Sequence, residues 1–285
     1  VVAFGNALAQ DNYDIIIRGG KIIDGSGNPW YEADVGITDE RVTAIGNLSP
    51  DSATTLIDAT GLIVAPGFID PHTHAIRGIF DVPTAESALL QGVTTLTEGN
   101  DGSSPFPIDA HYQAIIEKQI SPNWAFFVGQ GTIRSIVIGS EDRAATPAEM
   151  QRMQDMIAQA MEQGALGIST GLFYVPGSFT PTSEVIELSK VAAAYGGIYI
   201  SHMREEAAQL IDSVQETIRI GVEANIPVQM THHKVIGKGN YGASVDSLRL
   251  VAEARARGID ISIDQYPYTA SQTGIVALIP QWAQE

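Results

Sequence analysis

The first part of the chain alternates apolar and polar residues over short stretches that are separated by turn residues. Such alternation predicts β-strands rather than helices. The turns between them are Gly-Gly, Gly-Ser-Gly-Asn-Pro and Asp-Glu sequences. Strands are predicted at residues 13–18, 21–24, 34–38, 42–45 and 54–59. Residues 13–60 are therefore expected to form a small, incomplete β-sandwich segment.

From Gly61 onward the pattern changes, and apolar strand-like runs alternate with stretches of helical period. One helix is predicted from Thr146 to about Gln163, because Thr146-Pro147-Ala148-Glu149 combines an N-cap, a first-turn proline and a capping-box glutamate. Two further helices are predicted at residues 205–223 and 245–257. Strands are predicted at residues 62–70, 93–98, 125–129, 166–169, 198–201, 228–231 and 259–264.

The predicted strand ends recur at intervals of about thirty residues, the length that one strand, one helix and two loops require. Seven such units predict a (β/α)₈ TIM-type barrel over residues 61–285 that lacks its eighth strand. The alternative is an open doubly wound sheet. It is disfavoured because no Gly-rich G-x-G-x-x-G turn follows an early strand.

Composition excludes several classes of partner. The chain of 285 residues has 16 basic and 33 acidic side chains, with a formal net charge of −17, which disfavours nucleic acid and anionic membranes as partners. The chain has no cysteine, so thiolate metal sites and a cysteine nucleophile are excluded. No apolar run approaches the roughly 18 residues of a membrane span.

Residues 1–12 are expected to be the remnant of a secretory leader or a frayed N-terminus. Ala7 and Ala9 have the A-x-A spacing of a cleavage site just before Gln10. A periplasmic or secreted protein is therefore expected, and a cytoplasmic one if the leader interpretation fails. The absence of an initial Met, and an end at Glu285 within a repeat, lead us to expect a piece of a longer protein.

Histidines follow several of the predicted strands. The chain has six: His72, His74, His111, His202, His232 and His233. The carboxyl ends of parallel barrel strands open on one face, so histidines at three strand ends are expected to converge there. His72 and His74 lie two residues apart in an extended segment, and their imidazoles point the same way. His233 is expected to pack or to support the site, and His111, within a helical stretch, to lie at the surface.

Imidazole and carboxylate ligands without thiolate suit Zn²⁺, and also Mn²⁺, Co²⁺ or Fe²⁺, better than Ca²⁺ or Mg²⁺. Residue chemistry therefore predicts a transition-metal site.

Several motifs in order resemble a known family. The segment Pro66-Gly67-Phe68-Ile69-Asp70-Pro71-His72-Thr73-His74 resembles the opening of the amidohydrolase superfamily. The set in residues 164–177, 201–206, 231–234 and 264–268 resembles the N-acyl-D-amino-acid deacylases, or D-aminoacylases, over about residues 13–275. This resemblance implies metal-dependent hydrolysis of the amide bond of N-acyl-D-amino acids, a small-molecule substrate, with one or two zinc ions.

The resemblance also implies site residues. His72 and His74 would hold one metal position, and His202 and His232 the other. The family's bridging ligand is a cysteine in Gly-Asn-Cys-Gly, where this chain has Gly99-Asn100-Asp101-Gly102. Asp101 is thus expected to bridge, with Glu98 as the competing candidate.

Three residues match substrate-binding positions of the family: Tyr174, Lys234 and Tyr266. A cation opposite a carboxylate is the expected device for fixing an amino acid, although Lys234 in isolation is also compatible with a solvated loop charge. Gln272 stands where the family has a serine, so side-chain specificity does not transfer. Arg204 is expected to support the site rather than to contact substrate.

The family's general base is an aspartate after strand eight, which is expected beyond residue 285, in a C-terminal remainder of the same protein. Asp264, after strand seven, is expected to shape its strand end. The alternatives are a dihydroorotase-like or isoaspartyl-dipeptidase-like enzyme, or a catalytically silent relative that only binds a ligand. Ser169-Thr170 stands where the former enzymes place a carboxylated lysine.

Overall fold

The computed structural model describes residues 12–279 and Ala283. The chain divides into two units, residues 1–67 and 68–285, each described by itself below. The predicted leader, with Ala7 and Ala9, lies outside the described residues. Within them, no helix combines the length and the hydropathy needed to cross a membrane.

The first unit contains a five-stranded sheet. Its strands are β1 (Tyr13–Ile22), β2 (Tyr31–Thr38), β3 (Arg41–Gly46), β4 (Ala53–Asp58) and β5 (Ile63–Val64). β1 pairs antiparallel with β2 and parallel with β4 and β5, and β2 pairs antiparallel with β3. Strand structure is found at each predicted position, although the first two predicted strands form one continuous strand, β1. A second sheet, which a sandwich requires, is not found in residues 12–67, and the sandwich stays a prediction.

The Gly19-Gly20 pair was expected to be a turn, but it forms a bulge within one continuous strand. The register of β1 against β2 shifts between Ile17 and Gly20. Gly19 has a φ of 70°, and its N–H donates to Asp34 Oδ1 at 2.9 Å. A glycine pair permits either a turn or a bulge, so the sequence pattern alone did not separate them.

The second unit alternates strands with helices. Its strands are β6 (Phe68–Asp70), β7 (Val93–Glu98), β8 (Asn123–Phe126), β9 (Val128–Gly129), β10 (Gly167–Gly171), β11 (Ile198–His202), β12 (Val228–Met230) and β13 (Ile261–Ile263). Its helices are α1 (Glu86–Leu89), α2 (Ile108–Lys118), α3 (Gln130–Val137), α4 (Pro147–Glu162), α5 (Thr182–Ala194), α6 (Leu210–Ala224) and α7 (Ser244–Ala256).

All strand pairs of this unit are parallel and follow chain order, in two sheets, β6-β7-β8 and β9-β10-β11-β12-β13. Only Phe127 separates β8 from β9. The carboxyl ends of consecutive strands therefore follow one another along one edge, as in a TIM-type barrel. Helices α4, α5 and α6 cover the strands with an apolar core that includes Ile157, Leu188, Val214 and Tyr199.

The prediction of a single strand at residues 62–70 is wrong, because this segment forms two strands, β5 and β6. Residues of β5 pair with β1 in the first unit, whereas β6 pairs with β7 in the second. Ala65-Pro66-Gly67 separates the two strands. The division between the units falls at Gly67, after the predicted boundary at residue 60.

The first residues of two predicted helices, α4 and α6, depend on local side-chain hydrogen bonds to the backbone. The capping box of α4 is confirmed, since Thr146 Oγ1 accepts from Glu149 N and the Glu149 carboxylate accepts from Thr146 N. The helix predicted from Glu205 begins instead at Leu210. The Glu205 carboxylate accepts from the N–H groups of Ala207 and Gln209, which holds residues 205–209 in a turn.

A buried ion pair fastens the loop between α3 and α4. Arg134 on α3 is fully buried and donates from Nη1 to Glu184 Oε1 on α5 at 2.5 Å. Arg134 Nη2 donates to the carbonyl of Arg143, and Glu184 Oε2 accepts from Ala145 N. Each charged group thus has hydrogen bonds beyond the pair itself, which stabilise a buried ion pair, although Arg134 Nε has no partner among the described residues.

Arg134→Met should lower the free energy of unfolding by about 3–5 kcal/mol, because it leaves the Glu184 carboxylate buried without a cation. Urea denaturation followed by circular dichroism measures the change. The double variant with Glu184→Met should recover about half of the loss or more, since a buried pair replaced by apolar residues leaves no unpaired charge. Equal losses in the single and double variants would contradict this explanation.

Candidate metal centre

The four histidines that were predicted to bind metal lie at the carboxyl ends of parallel strands. His72 and His74 follow β6, His202 is the last residue of β11, and His232 follows β12. Asp101 follows β7 in the next loop. Because parallel strands end on one edge, residues far apart in sequence meet there.

The Asp101 carboxylate lies between two pairs of imidazoles. Its Oδ2 is 3.5 Å from His72 Nε2 and 3.3 Å from His74 Nε2. Its Oδ1 is 3.5 Å from His232 Nε2 and 3.8 Å from His202 Nδ1. One oxygen therefore faces each pair, which is the arrangement of a carboxylate shared by two metal positions.

These separations fit ligands that share an ion. They exceed ordinary hydrogen-bond lengths, but ligands about 2.1 Å from a tetrahedral ion lie about 3.4 Å apart. Two groups, His72-His74-Asp101 and Asp101-His202-His232, each offer ligand atoms within 4.8 Å of one another. Asp101 Oδ1 and His202 Nδ1 are buried and have no hydrogen-bond partner among the described residues. The donor set suits a divalent transition metal.

Mutual charge shifts the protonation of the cluster. Burial disfavours the charged Asp101 carboxylate, but the neighbouring imidazoles of His232, His72 and His74 hold its pKa well below the usual value. Burial also opposes the charged form of His72, yet Asp101 and Asp264 raise its pKa to about 9. For His202, burial dominates and lowers the pKa to about 4. Asp101 is thus an anion available for a cation.

The loop that presents Asp101 has an unusual backbone. Asp101 has a φ of 55°, a left-handed conformation that aspartate tolerates better than most residues, between Gly99 at 80° and Gly102 at 75°. Ser169 on β10 anchors the loop, because its Oγ donates to Gly99 O and accepts from Gly102 N. A Cβ at Gly171 would overlap the Asp101 carbonyl. β10 therefore anchors the backbone of the loop that carries Asp101.

The competing carboxylate, Glu98, has a different environment. It is almost fully buried and accepts from Thr73 Oγ1 at 2.5 Å and from Ile76 N at 3.1 Å. Burial raises its pKa. Glu98 therefore holds the segment that presents His72 and His74, and Asp101 is the carboxylate that both candidate metal groups include.

The three expected substrate-binding residues lie beside the second histidine pair. The Tyr174 ring centroid is 4.7 Å from that of His202, and its hydroxyl is 3.0 Å from Thr273 Oγ1. Lys234 Nζ lies 5.6 Å from the centre of the Tyr266 ring. Lys234 also pairs with a carboxylate, at Glu206. It is therefore a paired cation, and its alternative interpretation as a solvated loop charge is wrong.

Glu206 is the site residue that sequence reasoning missed. It is 5% exposed, and its carboxylate contacts Lys234, His232 and His202. Its neighbour Glu205 only accepts from nearby backbone N–H groups. Two adjacent glutamates in a loop give no periodic signal that shows which one faces the site. The available sequence signal was the position of Glu206, four residues after the candidate ligand His202.

Two other histidines lie apart from the cluster. His111 was expected at the surface, but it is half-buried, with its ring 5.3 Å from Phe80 and 5.1 Å from Phe126. Burial lowers its pKa. The amphipathic side chain of histidine suits such a packed position. His233 is buried, and its N–H donates to Asp264 O at 3.0 Å, in agreement with its expected packing role.

Asp264 and Arg204 both form hydrogen bonds that hold neighbouring segments of the chain. Asp264 Oδ1 lies 3.8 Å from His72 Nδ1 and accepts from His232 N, and Oδ2 accepts from Gln229 Nε2 at 2.6 Å. Arg204 forms a pair with Glu216 on α6 and donates to the carbonyls of Ser178 and Thr180. Asp264 thus shapes the strand end, and Arg204 fastens the loop after β10.

Comparison with known proteins identifies the family. The model of the amidohydrolase family matches residues 55–252, more than half of the chain. The chain belongs to the amidohydrolase family. Its parallel strands, which follow chain order, agree with a fold of TIM-barrel type.

Two curated relatives of this amidohydrolase come from Alcaligenes xylosoxydans xylosoxydans. A D-aminoacylase is 40% identical over 284 residues, which cover 92% of this chain and 58% of the relative. An N-acyl-D-glutamate deacylase is 36% identical, over 97% of this chain and 60% of the relative. The amidohydrolase chain thus spans less than two thirds of the length of these relatives.

A solved structure gives the same fold. The crystal structure of N-acyl-D-glutamate deacylase from Bordetella bronchiseptica, complexed with zinc and a phosphonate inhibitor, is 36% identical and superposes with a TM-score of 0.86. The match covers 90% of this chain and 59% of the other. This similarity supports the TIM-type fold of the amidohydrolase chain.

Proposed function

We propose that this chain forms the metal-binding part of a hydrolase that cleaves the amide bond of N-acyl-D-amino acids, releasing a carboxylate and a free D-amino acid. The decisive observation is the Asp101 carboxylate, which turns one oxygen towards each histidine pair. Similarity to D-aminoacylase and N-acyl-D-glutamate deacylase supports the substrate class.

One or two zinc ions, or other divalent transition metals, would occupy the site. His72 and His74 hold one position, His202 and His232 hold the other, and Asp101 contributes to both. When bound, the metal supplies Lewis acidity, which lowers the pKa of water to about 7 and polarises an amide carbonyl. The supporting observation is that the residues offer imidazole nitrogens and carboxylate oxygens only.

Lys234, Tyr174 and Tyr266 bind the substrate. The Lys234 ammonium pairs with the substrate carboxylate, because a charge-assisted hydrogen bond fixes both orientation and distance. The Tyr174 ring lies beside that of His202, from where its hydroxyl contacts the scissile group, and Tyr266 flanks Lys234.

The strands form seven of the eight units of a (β/α)₈ barrel. Among the described strands, β6 pairs with β7 alone and β13 with β12 alone, so each leaves one edge for a further strand. Phe68 and Ile69 on β6 are 62% and 65% exposed. A C-terminal remainder would supply strand eight with the aspartate that acts as general base, and further strands that complete the small β-sandwich.

The full-length protein should hydrolyse N-acetyl-D-amino acids, and not their L enantiomers, when zinc is bound, and chelation should abolish turnover. Ammonia-free ninhydrin detection of the released amino acid measures this for leucine, phenylalanine, aspartate and glutamate derivatives. Dihydroorotate and a β-aspartyl dipeptide serve as competing substrates. Preferential turnover of either one, or zinc binding without any hydrolysis, would contradict the proposed function.

A further inference from the structure

We infer that Glu206 is a positioning residue that orients both histidines of the second metal position and couples them to Lys234. The inference deepens the proposed function and rests on it, since it assumes that His202 and His232 bind a metal. Glu206 lies in the loop between β11 and α6 and is 5% exposed.

The geometry of the two imidazoles supports this role. His202 turns Nδ1 towards Asp101, and its opposite nitrogen, Nε2, lies 3.8 Å from Glu206 Oε2. His232 turns Nε2 towards Asp101, and its opposite nitrogen, Nδ1, lies 3.1 Å from Glu206 Oε1. Each ring therefore has Asp101 on one side and Glu206 on the other.

Metal binding would determine which nitrogen of each imidazole bears the proton. An imidazole ligand offers a lone pair to the ion, so its proton must sit on the far nitrogen. A carboxylate that accepts this proton fixes the tautomer and the ring orientation, and raises the basicity of the ligand. Glu206 Oε1 lies 3.1 Å from the far nitrogen of His232, close enough to accept its proton. Oε2 faces the far nitrogen of His202 at 3.8 Å, a longer electrostatic contact, so a single side chain acts on both ligands.

Lys234 completes the network. Its Nζ lies 2.8 Å from each oxygen of Glu206 and 2.8 Å from His232 Nδ1. Once His232 Nδ1 bears the proton that metal binding requires, it no longer accepts from Lys234. The ammonium then keeps Glu206 and gains a free donor for a substrate carboxylate. Glu206 thus links metal binding to substrate binding.

Two other nearby carboxylates, those of Asp264 and Glu205, do not contact both His202 and His232 together with Lys234. Asp264 lies 3.8 Å from one nitrogen of His72, but it accepts from Gln229 Nε2 and from His232 N. Glu205 is adjacent in sequence to Glu206, yet it accepts only from the N–H groups of Ala207 and Gln209. Glu205 therefore provides a matched control of equal charge and neighbouring position.

The test compares zinc affinity in the full-length protein by competition with a chromophoric chelator. Glu206→Gln should weaken zinc binding by roughly 10- to 100-fold, the usual effect of losing such a partner. Glu205→Gln should leave zinc affinity close to that of the wild type, because the Glu205 carboxylate accepts from the backbone N–H groups of Ala207 and Gln209. At saturating cobalt, Glu206→Gln should also shift the visible absorption bands, which a purely structural defect does not alter.

Wild-type zinc affinity in Glu206→Gln, with an unchanged cobalt spectrum, would overturn the inference. Absence of zinc binding by the wild-type protein would instead refute the proposed function. If Glu206→Gln does not fold, Glu206→Asp decides the question, because it keeps the charge but withdraws the carboxylate from the rings. Weaker zinc binding and a higher KM in Glu206→Asp would support a link between metal binding and substrate binding through Glu206. Wild-type zinc affinity together with a wild-type KM would overturn it.

Discussion

Asp101→Ala should release zinc from the full-length protein and lower kcat/KM for N-acetyl-D-amino acids by about a thousandfold or more. Each oxygen of this carboxylate faces one histidine pair, so its removal leaves each position with two imidazoles among the candidate ligands of the described residues. Loss of Lewis acidity alone removes several kcal/mol of transition-state stabilisation, and about 4 kcal/mol corresponds to a thousandfold. Metal analysis after gel filtration and steady-state kinetics measure the two effects.

Glu98→Gln is the matched control, because Glu98 lies three residues earlier and was the competing carboxylate. It accepts from Thr73 Oγ1 and Ile76 N and belongs to neither candidate metal group. This variant should retain the second metal position and be mainly less stable. Loss of zinc in Glu98→Gln together with retention of zinc in Asp101→Ala would exchange the two assignments.

Lys234→Met should raise the KM for N-acetyl-D-amino acids by roughly 10- to 100-fold and change kcat less. A hydrogen bond to a charged group contributes about 1.5–3 kcal/mol, and that contribution is made in substrate binding as well as in the transition state. The corresponding N-acetyl-D-amino acid amides lack the carboxylate, so their KM should differ little between variant and wild type.

Lys238→Met is the control for Lys234→Met, since Lys238 is an exposed lysine of the same loop between β12 and α7. It should leave KM for both acid and amide substrates unchanged. An equal rise in KM for acid and amide substrates in Lys234→Met would contradict an ion pair with the substrate carboxylate.

Much of the metal centre could be predicted from periodic spacing. His72, His202 and His232 follow strands that recur at about thirty residues, and parallel strands bring such positions to one edge. The choice between Asp101 and Glu98 was different, because both lie near the end of the same strand. The resemblance to a family with a ligand at that loop position favoured Asp101 and kept Glu98 as the competing candidate.

Other features depend on contacts that a sequence pattern does not contain. Glu206 and Glu205 are chemically identical neighbours, and only packing distinguishes the buried carboxylate from the loop-capping one. The Gly19 bulge depends on the register of β2, which local preference does not determine. His111 packs between two aromatic rings that lie far from it in sequence.

The most direct test of the central claim is anomalous X-ray diffraction from crystals of the zinc-loaded, full-length protein. The account predicts a zinc peak about 2.0–2.1 Å from His202 Nδ1 and His232 Nε2, with Asp101 Oδ1 as a further ligand. A second peak, where present, should lie beside His72, His74 and Asp101 Oδ2. A zinc ion bound elsewhere, or an Asp101 carboxylate turned away from both histidine pairs, would contradict the account.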